Sequence, residues 1–148
     1  MRVQLVPASP RIEVPGLAWL GAALAVLTAV GAIPVGIMFL TDPTGASVGL
    51  PDGWIEGTVF GDYTVPGLYL LLANGLGMLL VALLTWRRHW SAPWLMGALG
   101  VGLIIWIAVQ VVVMPEVFWL QAVYGAFGVA LGLIALAWLR QTGQLRAW

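Results

Sequence analysis

Four long apolar runs divide the chain, at roughly Leu17–Leu40, Pro66–Trp86, Ala92–Met114 and Val117–Leu139. Each holds about 20–24 residues, the length a helix needs to cross a hydrocarbon core of ~30 Å. The segments between them carry nearly all the charge. Arg2 and Arg11 precede the first run, Arg87 and Arg88 join the second to the third, and Arg140 and Arg146 follow the fourth. Asp42, Asp52, Glu56 and Asp62 lie between the first and second runs, and Glu116 between the third and fourth. Only Glu13 departs from this alternation. Basic loops stay in the cytoplasm. The pattern therefore predicts an all-α, four-helix transmembrane bundle running up-down-up-down, both termini inside, with the acidic loop outside.

Punctuation within the runs refines this layout. Pro7, Pro10 and Pro15 predict a short extended inner tail over residues 1–16, because proline disfavours helix in the residue before it. The first run carries Gly21, Ala25 and Ala29, then Ala32 and Gly36. Small residues at this spacing let another helix approach closely. Pro34 removes one helical hydrogen bond and is expected to loosen the outer third. The run is too long for a signal-peptide core and reads as a helix that stays in the protein. Gly97, Gly100 and Gly102 mark a small-residue face on the third run, and Gly128 and Gly132 form a GxxxG pair on the fourth. The third and fourth helices are expected to pair as a tight hairpin around Pro115-Glu116.

The segment 41–65 is predicted to be an ordered cap. Asp42-Pro43-Thr44-Gly45 suits a type I turn, and Pro51-Asp52-Gly53 signals a second turn. Trp54, Ile55, Val59 and Phe60 are expected to fold back onto the helix ends, with one short helical turn near Trp54–Gly57. Thr64 suits an N-cap for the second helix, with Pro66 in its first turn.

Composition narrows the chemistry. The 148 residues are 61% hydrophobic and only 8% charged, where a soluble domain carries about 25% charged residues. Cysteine is absent and all six of the Lys+Arg residues are Arg, which removes thiolate, disulfide and Schiff-base chemistry. The basic residues are too few and too dispersed to bind nucleic acid. His89 is the single histidine and belongs to the inner face, ~30 Å from the outer carboxylates, so no Ser-His-Asp triad can use them. The acids match no EF-hand spacing. Nothing in the sequence calls for a catalytic residue, a metal or another cofactor.

Two groups of residues remain as candidate sites. The outer loop offers Asp42, Asp52, Trp54, Glu56, Phe60, Asp62 and Tyr63 as an interaction surface. Within the runs, Asn74, Gln110 and Gln121 form a polar cluster, with Tyr69 and Tyr124 as further polar groups. Gln110 and Gln121 lie about equally far from Pro115-Glu116, so they are expected at similar depth, hydrogen-bonded to each other or to Asn74.

The loop also carries a resemblance. Asp42-Pro43-Thr44-Gly45, Gly49-Leu50-Pro51, Trp54, Gly57-Thr58, Phe60, Asp62-Tyr63 and Val65-Pro66-Gly67 resemble the outer loop of small bacterial four-helix integral membrane proteins with a DPSG/GLP/PG-type pattern. Thr44 stands where that pattern has Ser. The resemblance implies a four-helix fold in the bacterial cytoplasmic membrane and implies no reaction.

These features lead to the expectation of a non-enzymatic accessory or scaffold subunit, acting through helix packing and the outer loop. Its expected partners are membrane lipids and either further copies of itself or a partner membrane subunit. Two alternatives are a small oligomeric transporter or channel, and a protein that binds a lipid or hydrophobic ligand in a cleft beneath the 41–65 cap.

Overall fold

The structure is a computed structural model that describes residues 11–146. Arg2, Pro7, Ser9 and Pro10 of the expected tail lie outside the described residues. Among the described residues there are four helices long and apolar enough to cross a membrane, and no strand: α1 (Gly16–Thr41), α2 (Thr64–Trp86), α3 (Ala92–Val113) and α4 (Trp119–Gln141). At 1.5 Å per residue, their 22–26 residues give lengths of about 33–39 Å.

The helix ends fall within two residues of the expected positions, and the differences have local causes. The fourth helix starts at Trp119 rather than Val117 because the Gln121 side chain reaches back, its Oε1 accepting the Phe118 N–H at 3.1 Å. Thr64 is not the N-cap of α2 but lies inside it. Tyr63 holds the N-cap position without a side-chain cap, and the Asp62 carboxylate just before it accepts the Thr64 N–H at 2.8 Å. The second helix ends in a Schellman motif: Arg88 N–H donates to the Thr85 carbonyl and His89 N–H to the Leu84 carbonyl. Arg88 has φ +56° there, the one non-glycine among the described residues in the left-handed region.

The small residues named in the first run turn inward. Gly21, Ala25, Ala29, Ala32 and Gly36 are all buried. A Cβ on Gly36 would lie 2.9 Å from the Leu71 backbone nitrogen of α2. One on Gly100 would lie 2.9 Å from the Gly128 carbonyl oxygen. These contacts are backbone against backbone, so the pairs α1–α2 and α3–α4 approach as closely as two helices can. The hairpin of α3 and α4 forms as expected from the short connection, and among the described residues only the α1–α2 interface is more extensive.

The main core occupies one end of the bundle. Ala18, Ala25, Met78, Val81, Met96, Leu131, Ile134 and Trp138 are buried there. Residues 11–15 cross this end as a strap rather than leaving it as a free tail. The Ile12 N–H donates to the Arg88 carbonyl at 3.0 Å, and the buried Trp138 indole donates to the Glu13 carbonyl at 2.8 Å. Arg11, the Arg87–Arg88 turn and the end of α4 therefore meet at one end.

The 41–63 loop covers the other end, and its order is local. Asp42 organises the first turn: its carboxylate accepts the Thr44 hydroxyl at 2.6 Å and the Ser47 N–H at 2.8 Å. The Tyr63 N–H donates to the Pro43 carbonyl at 3.0 Å and ties the two ends of the loop together. Gly45, Gly49, Gly53, Gly57 and Gly61 recur every fourth residue, each with φ between +70° and +83°. This glycine period runs the segment through successive tight turns. The expected helical turn at Trp54–Gly57 is such a turn; the one short helix of the loop is a 3₁₀ turn at Ala46–Val48. Ile55 is buried against Phe39 and Tyr63, and Phe60 packs beside them. Val59 does not fold back as expected and is 89% exposed.

Candidate functional site

A cavity of about 450 Å³ lies between the core at the arginine end and the loop at the other. Its walls come from every helix. Thr28, Ala32 and Val35 supply α1, Leu70 and Asn74 supply α2, Leu103, Trp106 and Gln110 supply α3, and Gln121 and Tyr124 supply α4. Val48 and Leu50 of the loop also line it, and the partly exposed Phe118 and Leu120 mark its rim. The first and fourth helices touch near Gly21, where Ile134 approaches closely. Farther out, the cavity lies between them.

Two features of sequence shape this space. Leu70–Gly77 of α2 is π-helical, flanked by α-helix on both sides. The Gly75 and Gly77 positions within it let neighbours come close; a Cβ on Gly75 would meet Ile33 at 2.7 Å. A π-turn shifts the register of side chains along the helix and is frequent at functional sites. It carries Asn74 at its centre. On the facing side, the Tyr124 hydroxyl sits directly against Gly31, where any side chain would collide with it.

The walls are apolar with a few polar groups, and none of the lining residues is ionisable at neutral pH. Asn74 is 1% exposed, and neither its Nδ2 nor its Oδ1 has a hydrogen-bond partner. The buried Trp106 Nε1 is likewise unpartnered. The other polar groups are mostly occupied. The Thr28 hydroxyl donates to the Leu24 carbonyl at 2.9 Å, and the Gln121 amide is shared between the Phe118 N–H and the Met114 sulfur. Tyr69 stacks on Trp106 with ring centroids 4.7 Å apart and donates its hydroxyl to the Gly102 carbonyl at 2.9 Å, which fixes the indole plane.

The expected polar cluster is thus brought together but not bonded. Asn74, Gln110 and Gln121 face one cavity. The expected hydrogen bonds among them do not form. The Gln121 side chain turns back to its own helix start, where an unpaired N–H is nearer. Trp106 was missed as a site residue. Its signal is a tryptophan inside an apolar run, away from the membrane interfaces where that residue concentrates.

The outer-loop candidates separate by chemistry. Tyr63 is buried and stacks on Phe39 at 4.6 Å between ring centroids, and burial pushes its phenol pKa up. Phe60 and Tyr63 line a small side pocket of about 40 Å³ that shares Phe39, Trp106, Gln110 and Met114 with the main cavity. Trp54 is half-buried, its ring 6.1 Å from that of Phe118. Asp52 and Glu56 are exposed, and the Asp62 carboxylate accepts the Thr64 N–H at the start of α2. Asp42 holds its turn, and the Thr44 hydroxyl and Ser47 N–H lower its pKa below the ordinary carboxylate value. Among the described residues no three His, Asp or Glu converge as a metal site would require. His89, at the arginine end, pairs with Ser91 at 2.7 Å from Nδ1 to Oγ.

Comparisons with protein-family models, with curated proteins and with solved structures give no match to this chain.

Proposed function

We propose that this protein binds a small hydrophobic molecule or lipid chain in the cavity beneath the 41–63 loop. The observation that carries this reading is the cavity itself, walled by all four helices and the loop and lined mostly by apolar side chains. The volume of about 450 Å³ lies within the ~300–1,000 Å³ range of small-molecule sites. The cavity is apolar with a few polar groups, the usual composition of such sites.

The membrane setting fits this role. Four helices of spanning length and mean hydropathy +1.00 favour a multi-pass protein of the bacterial cytoplasmic membrane. The arginines gathered at the strap end favour both termini inside and the 41–63 loop outside. In that orientation the cavity lies in the outer half of the bilayer. A hydrophobic ligand then reaches it from the lipid, past Phe118 and Leu120, without crossing water.

An accessory-subunit role is the second reading. The small-residue faces that suggested it are largely taken up by packing within the bundle. What favours it instead is the turn between α3 and α4, where Val112, Val117 and Trp119 are 84%, 68% and 73% exposed.

Native mass spectrometry of the protein extracted gently from its own membrane separates the two. The ligand reading expects a bound small molecule that disappears when Ala32→Phe fills the cavity while the protein stays folded. A second polypeptide at fixed ratio, with an empty cavity, overturns it in favour of the accessory role.

A further inference from the structure

The shape of the cavity and the charge around its mouth narrow the class of ligand. Resting on the ligand-binding reading above, we propose that the cavity holds one acyl chain of a membrane phospholipid, end-on, and that the head group left at the mouth carries an ammonium, as in phosphatidylethanolamine.

The cavity is long and narrow. On α1 its wall extends from Phe39 down to Thr28, and beside it from Met114, just past the end of α3, down to Leu103. At 1.5 Å per residue, either stretch gives a depth of about 16 Å. Spread over that depth, a volume of about 450 Å³ has a mean section of about 28 Å². A slot of these proportions takes one alkyl chain lying parallel to the helices and is too narrow for two side by side. At about 30 Å³ per water-sized group it holds on the order of fifteen heavy atoms, close to one acyl chain and a fraction of a whole phospholipid. Tyr124 is the deepest residue that α4 contributes to the wall, and its hydroxyl lies directly against Gly31 of α1. It bridges the two helices and bounds the slot where the chain ends.

The head group stays outside for an electrostatic reason. The lining residues include no Asp, Glu, Lys, Arg or His, so a phosphate drawn inside would lose its hydration and meet no counter-ion. The partly exposed Phe118 and Leu120 place the mouth at the start of α4, at the loop end of the bundle. In the orientation proposed above, the lipid belongs to the outer leaflet.

Charge at that end has one sign. Glu116 lies two residues before Phe118, and the 41–63 loop carries Asp42, Asp52, Glu56 and Asp62. No Arg, Lys or His occurs between residues 12 and 86 or between 90 and 139. A head group with net negative charge, as in phosphatidylglycerol, meets only like charge there, whereas an ammonium is attracted. Asp52, Glu56 and Glu116 are exposed, so the preference is modest and is screened by salt.

The test uses the full-length protein in one neutral detergent and three photoactivatable probes. Two are phosphatidylethanolamine and phosphatidylglycerol with identical chains, one chain of each ending in a diazirine. The third is a long-chain alkane bearing a diazirine. After photolysis, labelled residues are mapped by peptide mass spectrometry. The expected result is that the phosphatidylethanolamine probe labels the deep wall around Thr28, Leu103 and Tyr124, roughly three- to tenfold more than the phosphatidylglycerol probe at low salt. High salt narrows the difference. Ala32→Phe, which fills the cavity, removes the deep labelling. The combined variant Asp52→Asn, Glu56→Gln, Glu116→Gln keeps it and equalises the two lipids. Equal deep labelling by both lipids in the wild-type protein at low salt overturns the head-group assignment. Deep labelling by the alkane and by neither lipid overturns the acyl-chain assignment and leaves ligand binding standing. No wall labelling by any probe overturns both.

Discussion

Replacing Asn74 by Leu should make the protein more stable, the opposite of what most core substitutions do. The two side chains are close in size and shape, so the change removes a polar group and leaves the packing volume nearly as it was. Asn74 is 1% exposed with neither amide atom bonded, so the folded state bears the desolvation of the amide with no compensating bond. That penalty is about 1–3 kcal/mol for an unsatisfied group in a protein interior. The reference state trims the gain, because a polar group in an unfolded membrane segment also finds partners, and interhelical bonds in membranes average only ~0.6 kcal/mol. A net stabilisation of about 1–2 kcal/mol follows, an upward shift of roughly 2–8 °C in Tm for a chain of this length. Thermal unfolding of delipidated protein in one fixed detergent measures it. Thr28→Val is the matched control: the Thr28 hydroxyl already donates to the Leu24 carbonyl, so its removal should bring no gain. A lowered Tm for Asn74→Leu, equal to or larger than that of the control, would show that Asn74 holds a structural bond. The reasoning that reads it as an unsatisfied buried amide would then fail.

Three further outcomes follow from the geometry. Gly100→Ala should destabilise the α3–α4 hairpin by about 1–3 kcal/mol relative to Gly132→Ala, because its Cβ meets backbone at 2.9–3.0 Å while that of Gly132 meets nothing within 4 Å; equal unfolding free energies in a denaturant titration would refute this. Arg88→Gly should stabilise by about 1 kcal/mol, since φ +56° suits glycine and strains an L side chain, and an unchanged or lower midpoint would count against it. Asp42 has a folded-state pKa below its ordinary value of 3.8, so its contribution to loop order is complete above that pH and is lost as pH falls through the folded value; an acid-active protease should cut the wild-type loop increasingly as pH drops below about 3.8, while Asp42→Asn is cut readily throughout the same window, and parallel pH profiles would refute the assignment.

The first-order architecture was legible in the chain because lipid imposes it locally. A helix must satisfy its own backbone in the bilayer, so run length alone counts the helices of spanning length, and the four helices end within two residues of the apolar runs. The small residues of α1 were equally readable. Gly21, Ala25, Ala29, Ala32 and Gly36 share one face by simple periodicity, and that face is buried. The loop's turn at Asp42–Gly45 followed from residues in contact along the sequence, as did its inward-facing Ile55 and Phe60. The glycine period of four was present in the sequence as well, although only the φ angles reveal what it does.

Tertiary structure decided what no local pattern encodes. The N-cap of α2 fell to Tyr63 rather than Thr64, whose N–H the Asp62 carboxylate takes, and the N–H that Gln121 serves proved to be that of Phe118, because short-range alternatives compete and only three-dimensional geometry ranks them. The π-turn at Leu70–Gly77 has no sequence signature beyond two glycines and an asparagine, yet it sets the angle at which Asn74 meets the other helices. Above all, the sequence named Asn74, Gln110 and Gln121 as polar residues in apolar helices, and read them as bonded to one another. Whether such groups pair or stand around a space depends on how far α1 and α4 lie apart at that depth. That separation is fixed by residues elsewhere: the contact at Gly21, the hydroxyl of Tyr124 against Gly31, and the loop packed on Phe39. A run of apolar residues therefore determines a helix long and apolar enough to cross a membrane, while the cavity belongs to the packing of all four helices and the loop together.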